Sequence, residues 1–429
     1  MTIKRSILSG RDMSGRMHGT AGRRLAAACA TIGMLLATAG CSMPLFPSSE
    51  AAPSSSAAKP AGKSAVPSPN ATTSSPRATS QDAADQARSM VASMSVEEKA
   101  GQLLMVPLFA GNPATDVKSL VQDSHVGSVV LLGNWNGGTT SVAKVSSTLQ
   151  GYAPDNAKLL IGVDQEGGQV QHLTGNGFSD MPSAVEQGRL STDALRSSAA
   201  TWGRELKSAG VNVDLAPVAG TVSTASRSQN APIGALDRDF GLDAAGNGQH
   251  AAAFITGMKS AGVMTTVKHF PGLGAVTGNT DFTDQGITDT TTKLDGGQIE
   301  GFRQALAARP DMVMMSLATY QAIDSSQPAA FSKTIIDDYL RAKLGFQGVV
   351  TSDSVSAEAV SSIPARDLGV RFVAAGGDLI CIGDYENVGP IIDGLVSKAK
   401  SDAAFAQSLD RSVQRVLTLK INAGLAKSS

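Results

Sequence analysis

The chain has 429 residues, of which 42% are hydrophobic and 17% charged, with a formal net charge of −1. This near-neutral balance excludes a protein that grips nucleic acid through a basic stripe, so no nucleic-acid partner is expected. Three cysteines, Cys29, Cys41 and Cys381, are too few for a disulfide framework, and no Cys-x-x-Cys or His-Glu-x-x-His spacing points to a metal or other cofactor.

Residues 1–24 are rich in Arg and Lys, and the apolar run from Leu25 to Gly40 ends in Thr38-Ala39-Gly40-Cys41. A basic start, an apolar middle and small residues before a cut read as a secretory signal over residues 1–41. Small residues directly before Cys41 resemble a bacterial lipobox, with Thr38 where Leu, Val or Ile is usual. That pattern predicts lipidation of Cys41 and attachment to the outer face of the cell membrane, the alternative being plain secretion. Residues 42–82 are mostly Ser, Ala, Pro and Thr. Such a segment buries too little apolar surface to offset its ordering entropy and is expected to be a disordered tether.

Order is expected over residues 83–429. Ala83 to Met94 has helical composition, and Ser95-Val96-Glu97-Glu98 is a capping box that starts another helix. Strand and helix signals then alternate. The candidate strands are Leu103–Val106, Ser128–Leu132, Leu159–Val163, Val211–Leu215, Val263–Val267, Met312–Ser316, Val349–Ser352 and Leu379–Ile382. Helix-length segments such as Ser191–Ala209, Ala244–Ala261 and Ile335–Leu344 separate them. Eight short apolar runs of this kind predict an α/β fold, one (β/α)8 barrel of the TIM type. The rival, an open doubly wound sheet, lacks a Gly-x-Gly-x-x-Gly fingerprint after the first strand.

Polar residues gather where these runs end. The third leads into Asp164-Gln165-Glu166-Gly167-Gly168, the fifth into Lys268-His269, and the seventh into Ser352-Asp353. Leu236-Asp237-Arg238-Asp239-Phe240 follows the fourth. Each acid alone could simply cap the next helix. On one barrel face, together with Lys and Arg, they suit a neutral polyhydroxylated ligand. Glycoside hydrolysis asks for such carboxylates, one to attack or steer water and one to protonate the leaving oxygen.

These segments resemble family 3 glycoside hydrolases, in particular the single-domain bacterial β-N-acetylglucosaminidases, over roughly residues 86–424. The resemblance rests on Met94-Ser95-Val96-Glu97-Glu98-Lys99, Val163-Asp164-Gln165-Glu166-Gly167-Gly168, Lys268-His269-Phe270-Pro271-Gly272, Gly348-Val349-Val350-Thr351-Ser352-Asp353 and Ala375-Gly376-Gly377-Asp378. It implies a retaining exo-acting hydrolase releasing β-linked N-acetylglucosamine from cell-wall or chitin-type glycans, needing no cofactor and working as a monomer. Asp353 would be the nucleophile, its pKa lowered by neighbours such as Lys268. Asp164, Arg238, Lys268 and His269 would hold sugar hydroxyls.

The loop after Lys268-His269 departs from the family pattern. Relatives continue into an Asp-Ser-His segment whose histidine is the acid/base, whereas this chain reads Asn279-Thr280-Asp281. Asp281 therefore stands where the proton donor belongs. Gln169 and His172 stand where the family has arginines, which makes His172 a candidate sugar ligand. An ordinary Asp is protonated in only about one molecule in a thousand at neutral pH, and raising its pKa to about 7 costs on the order of 4 kcal/mol. Three outcomes are open. Asp281 takes over the role, another acid such as Glu166, Asp284 or Asp289 does, or the protein binds sugar with little turnover. A β-glycosidase of different sugar preference is a further alternative.

Overall fold

The computed structural model describes residues 80–427. The expected signal, Cys41 and most of the tether lie outside the described residues. Eight parallel strands form one sheet: β1 (Leu104–Phe109), β2 (Ser128–Leu132), β3 (Leu160–Val163), β4 (Val213–Asp214), β5 (Met264–Phe270), β6 (Met312–Met315), β7 (Val349–Ser352) and β8 (Ile380–Cys381). Their spatial order is their chain order, running from β8 next to β1 round to β7. A single bridge between Thr351 and Leu379 brings β7 back against β8. The sheet is thus a nearly closed α/β barrel with helices outside it, as the eight apolar runs predict.

Two strands, β2 and β7, span the predicted residues, and the others shift at their ends. The differences are largest in β1, which runs on to Phe109, and in β5, which continues through Lys268 and His269 to Phe270 instead of ending at Val267. Polar residues in a buried strand break the apolar pattern that marks strands in sequence. The pairing of β5 with β6 also slips there, from Val267 opposite Val313 to Phe270 opposite Met315. Such a slip re-aims side chains; Lys268 meets two carboxylates at the mouth and His269 faces Asp353.

The strands are rich in Val, Ile, Leu and Met and almost wholly buried, which is what a sheet covered on both faces requires. The helices start where the sequence says they should. Ser95 Oγ accepts from Glu98 N at 3.1 Å while Glu98 Oε2 accepts from Ser95 N at 2.7 Å. Ser191 and Asp243 cap the helices Thr192–Ser208 and Ala244–Ser260. Cys381 is a buried small side chain in β8, as its apolar surroundings suggest. Among the described residues no helix is long and apolar enough to cross a membrane.

Candidate active site at the barrel mouth

The carboxy-terminal ends of β3, β4, β5 and β7 place their polar residues around one centre. Lys268 is buried at 1% exposure, with Nζ 2.5 Å from Asp164 Oδ1 and 2.6 Å from Glu166 Oε1. Burial alone would push this lysine down, but the two carboxylates outweigh it and raise its pKa. Arg238 makes a bidentate pair with Glu166, Nε to Oε2 at 2.9 Å and Nη2 to Oε1 at 2.7 Å. Burial would raise Glu166, yet Arg238 and Lys268 hold it far below the usual carboxylate range. Glu166 is therefore a fixed anion tying two cations together, and it cannot donate a proton.

Gly167 and Gly168 allow this arrangement. Their φ angles of 100° and 57° reverse the chain into the short hairpin Gln165–Gly167 and Val170–Gln171. A Cβ on Gly167 would sit 2.2 Å from Pro182 O, so glycine here permits a close approach to the protein's own chain.

Asp353 follows β7, its side chain 17% exposed, and accepts from Ser354 N at 2.9 Å. Its pKa is raised to about 7, first by burial and then by the charge of Asp281. This reverses the expected direction. Lys268 does lower it, but Lys268 is already matched by Asp164 and Glu166. His269 Nε2 lies 4.0 Å from Asp353 Oδ2. Burial, then the charges of Arg238 and Lys268, push His269 well below its normal value. It is a neutral imidazole, so the 4.0 Å approach is not an ion pair.

Asp281 sits on the loop that departs from the family pattern. Desolvation at the mouth raises its pKa, with Arg238 opposing and Asp164 adding to the rise, while part of the residue stays exposed to solvent. The loop is pinned at several points. Thr277 N and Gly278 N both donate to Gly286 O at 2.9 Å, closing it on itself. Glu358 N donates to Asp281 O at 3.3 Å and Ala359 N to Thr280 O at 3.0 Å. The segment that follows Asp353 thus grips the backbone of Asp281.

The other candidate acids are occupied elsewhere. Asp289 is fully buried and accepts from Thr291 N and Thr292 N at 2.7 and 2.8 Å. Asp284 is exposed and accepts from Gln285 Nε2. His172 is half-buried near the hairpin; its carbonyl accepts from Trp135 N, and its imidazole forms no hydrogen bond with any described residue. The structure therefore brings together Asp164, Arg238, Lys268, His269, Asp281 and Asp353, and leaves His172 out of the charged cluster. Reading the sequence places Asp214 among the polar strand ends but does not find the anionic anchor role of Glu166, nor that Asp214, at the end of β4, is fully buried and raised by burial well above its normal value. Glu166 lies between two glycines and an aspartate in sequence, and only folding shows which cations it faces.

A parallel barrel with carboxylates and cations at its mouth carries the groups that glycoside hydrolysis asks for. The family described as "Glycosyl hydrolase family 3 N terminal domain" matches residues 95–419, and the chain belongs to that family. It is 31% identical over 340 residues to the beta-hexosaminidase LpqI of Mycobacterium tuberculosis, covering 77% of this chain and 84% of that protein. Its fold is similar to the beta-N-acetylhexosaminidase of Beutenbergia cavernae, with a TM-score of 0.73, 41% identity and coverage of 76% and 98% of the two chains. It is also similar to a family 3 beta-N-acetylglucosaminidase from Paenibacillus, with a TM-score of 0.69, 28% identity and coverage of 79% and 64%.

Proposed function

We propose that this glycoside hydrolase is a retaining exo-enzyme that releases β-linked N-acetylglucosamine, with Asp353 as nucleophile and Asp281 as acid/base. The sugar class follows the names of its relatives. The observation that carries the mechanism is the clasp of the Asp281 loop onto the segment following Asp353, which puts two carboxyls in one crowded, partly desolvated mouth.

Mutual repulsion lets such a pair hold one proton between them near neutral pH. In the productive form Asp353 is ionised and Asp281 is protonated. An Asp353 oxygen attacks the anomeric carbon, the glycosidic C–O bond breaks, and the Asp281 proton passes to the leaving oxygen. Asp353 is then a neutral ester and no longer shares a proton with Asp281. Asp281, ionised once it has protonated the leaving oxygen, takes a proton from the water that cleaves the ester. Asp164, Arg238, Lys268 and His269 face the sugar hydroxyls, with the ion network fixing their geometry. Lipid attachment at Cys41 and a tether over residues 42–82 would hold the barrel at the outer membrane face, within reach of N-acetylglucosamine-containing glycans.

The test is turnover of a nitrophenyl N-acetyl-β-glucosaminide and of a β-linked N-acetylglucosamine disaccharide across pH 4–8. Asp353→Ala should abolish both. Asp281→Asn should lower disaccharide kcat by about 10²–10⁴-fold. Sugar binding without turnover at any pH rejects the enzymatic mechanism in favour of a binding protein.

A further inference from the structure

Asn230 stands between the two loops that frame the mouth, and it touches none of the charged groups. It is 1% exposed. Its Nδ2 donates to Leu273 O and to Val276 O, each at 2.7 Å, at the root of the loop that carries Asp281. Its Oδ1 accepts from Ile233 N at 3.2 Å and from Gly234 N at 2.6 Å. Those two amides open the short helical turn Gly234–Leu236, which leads through Asp237 to Arg238. Arg238 in turn donates to Pro232 O at 2.8 Å, within the same loop. All four hydrogen-bonding capacities of the amide are used, two on each loop.

The Arg238 guanidinium is the principal charge that opposes the raised pKa of Asp281. Its separation from Asp281 therefore tunes how readily Asp281 holds a proton. One buried amide sets the separation between the roots of the two loops.

We propose that Asn230 is a positioning residue for proton transfer, joining the Arg238 loop to the Asp281 loop so that the acid keeps its aim and its distance from Arg238. This rests on the reading of Asp281 as acid/base. It predicts a defect confined to leaving groups that need a proton. Asn230→Asp keeps an acceptor for Ile233 and Gly234 but removes both donors, and Asn230→Ala removes all four bonds.

The experiment compares kcat/KM for a β-linked N-acetylglucosamine disaccharide with that for the dinitrophenyl glycoside, whose leaving group departs unassisted. Wild type, Asn230→Asp, Asn230→Ala and Asp281→Asn are compared, with circular dichroism and Tm as folding controls. Asp281→Asn and the Asn230 variants should all lose disaccharide activity selectively. The loss for Asn230 should be about 10–100-fold, below the full general-acid contribution, with less than about 3-fold on the dinitrophenyl substrate. If Asp281→Asn shows the selective loss while the Asn230 variants lose both activities equally or neither, the positioning role is wrong and the acid/base assignment stands. If Asp281→Asn shows no selective loss, the acid/base assignment fails and the role of Asn230 falls with it. If neither Asn230 variant reaches the wild-type fold, Asn230 is a folding residue and the proposal is overturned.

Discussion

At the mouth, charges are matched locally. Lys268 and Arg238 are committed to Asp164 and Glu166, so Asp353 and Asp281 are left to repel each other. A pair that shares one proton is active only in its singly protonated form, so the pH profile of kcat/KM should be a bell. Its alkaline limb should fall near pH 7, the value to which Asp353 is raised. A profile flat to pH 9 would contradict the shared proton. The same pair affects stability. The folded pair keeps the proton that Asp353 and Asp281 share up to about pH 7, while an unfolded chain releases it near pH 4. Between those values the folded state binds more protons, so stability falls as pH rises through that window. Asp353→Asn should therefore raise Tm at pH 8, by a stabilisation on the order of 4 kcal/mol, and leave it nearly unchanged at pH 4. Thermal unfolding at the two pH values checks this. Most of these residues are visible in the sequence as acids and bases after apolar runs. The direction of the Asp353 shift is not, because it depends on which cations are already taken.

The element on which the proposed acid/base reading turns is the loop 273–287. Its tip is exposed to solvent, but it is clasped at its root, its neck and its tip, which fixes where Asp281 sits. Gly278 sits in the neck, where a Cβ would lie 2.0 Å from Gln285 O. That contact is to backbone, so Gly278→Ala must open the neck. Its expected result is at least a 10-fold fall in kcat on the disaccharide, toward the 10²–10⁴-fold of losing the acid, with Tm within about 4 °C of wild type, the shift of roughly 1 kcal/mol in a large domain. Steady-state kinetics and a melting curve read both. In sequence this stretch is a departure from the family pattern with an open outcome. Its clasp to Glu358 and Ala359 joins residues far apart along the chain. No local pattern reveals such a contact.

Across the whole molecule the barrel depends on closing β7 against β8, where pairing is thinnest. Asp378 fills that gap. It is fully buried, accepts from Val350 N at 2.8 Å, and pairs with Arg341 at 2.6 Å and Arg415 at 3.0 Å. One carboxylate thus joins the seam to the helices Thr334–Lys343 and Ala403–Asn422. Removing one partner of a buried pair strands the others, so Asp378→Ala should cost about 3–5 kcal/mol in denaturant unfolding. A change below about 1 kcal/mol would show that the seam does not need this ion network.

The eight apolar runs, the helix caps and the charged residues placed after the strands were enough to determine the barrel and the face that carries its chemistry. Burial of short Val- and Ile-rich segments is a local, periodic requirement that the sequence writes out residue by residue. Which carboxyl can hold a proton was decided only by tertiary structure. Glu166 is ionised because Arg238 and Lys268 surround it, and Asp289 is spent on two threonine amides. Asp281 is held beside Asp353 by backbone contacts across the mouth. Electrostatic fate depends on distance and burial in space, and neither is set by spacing along the chain.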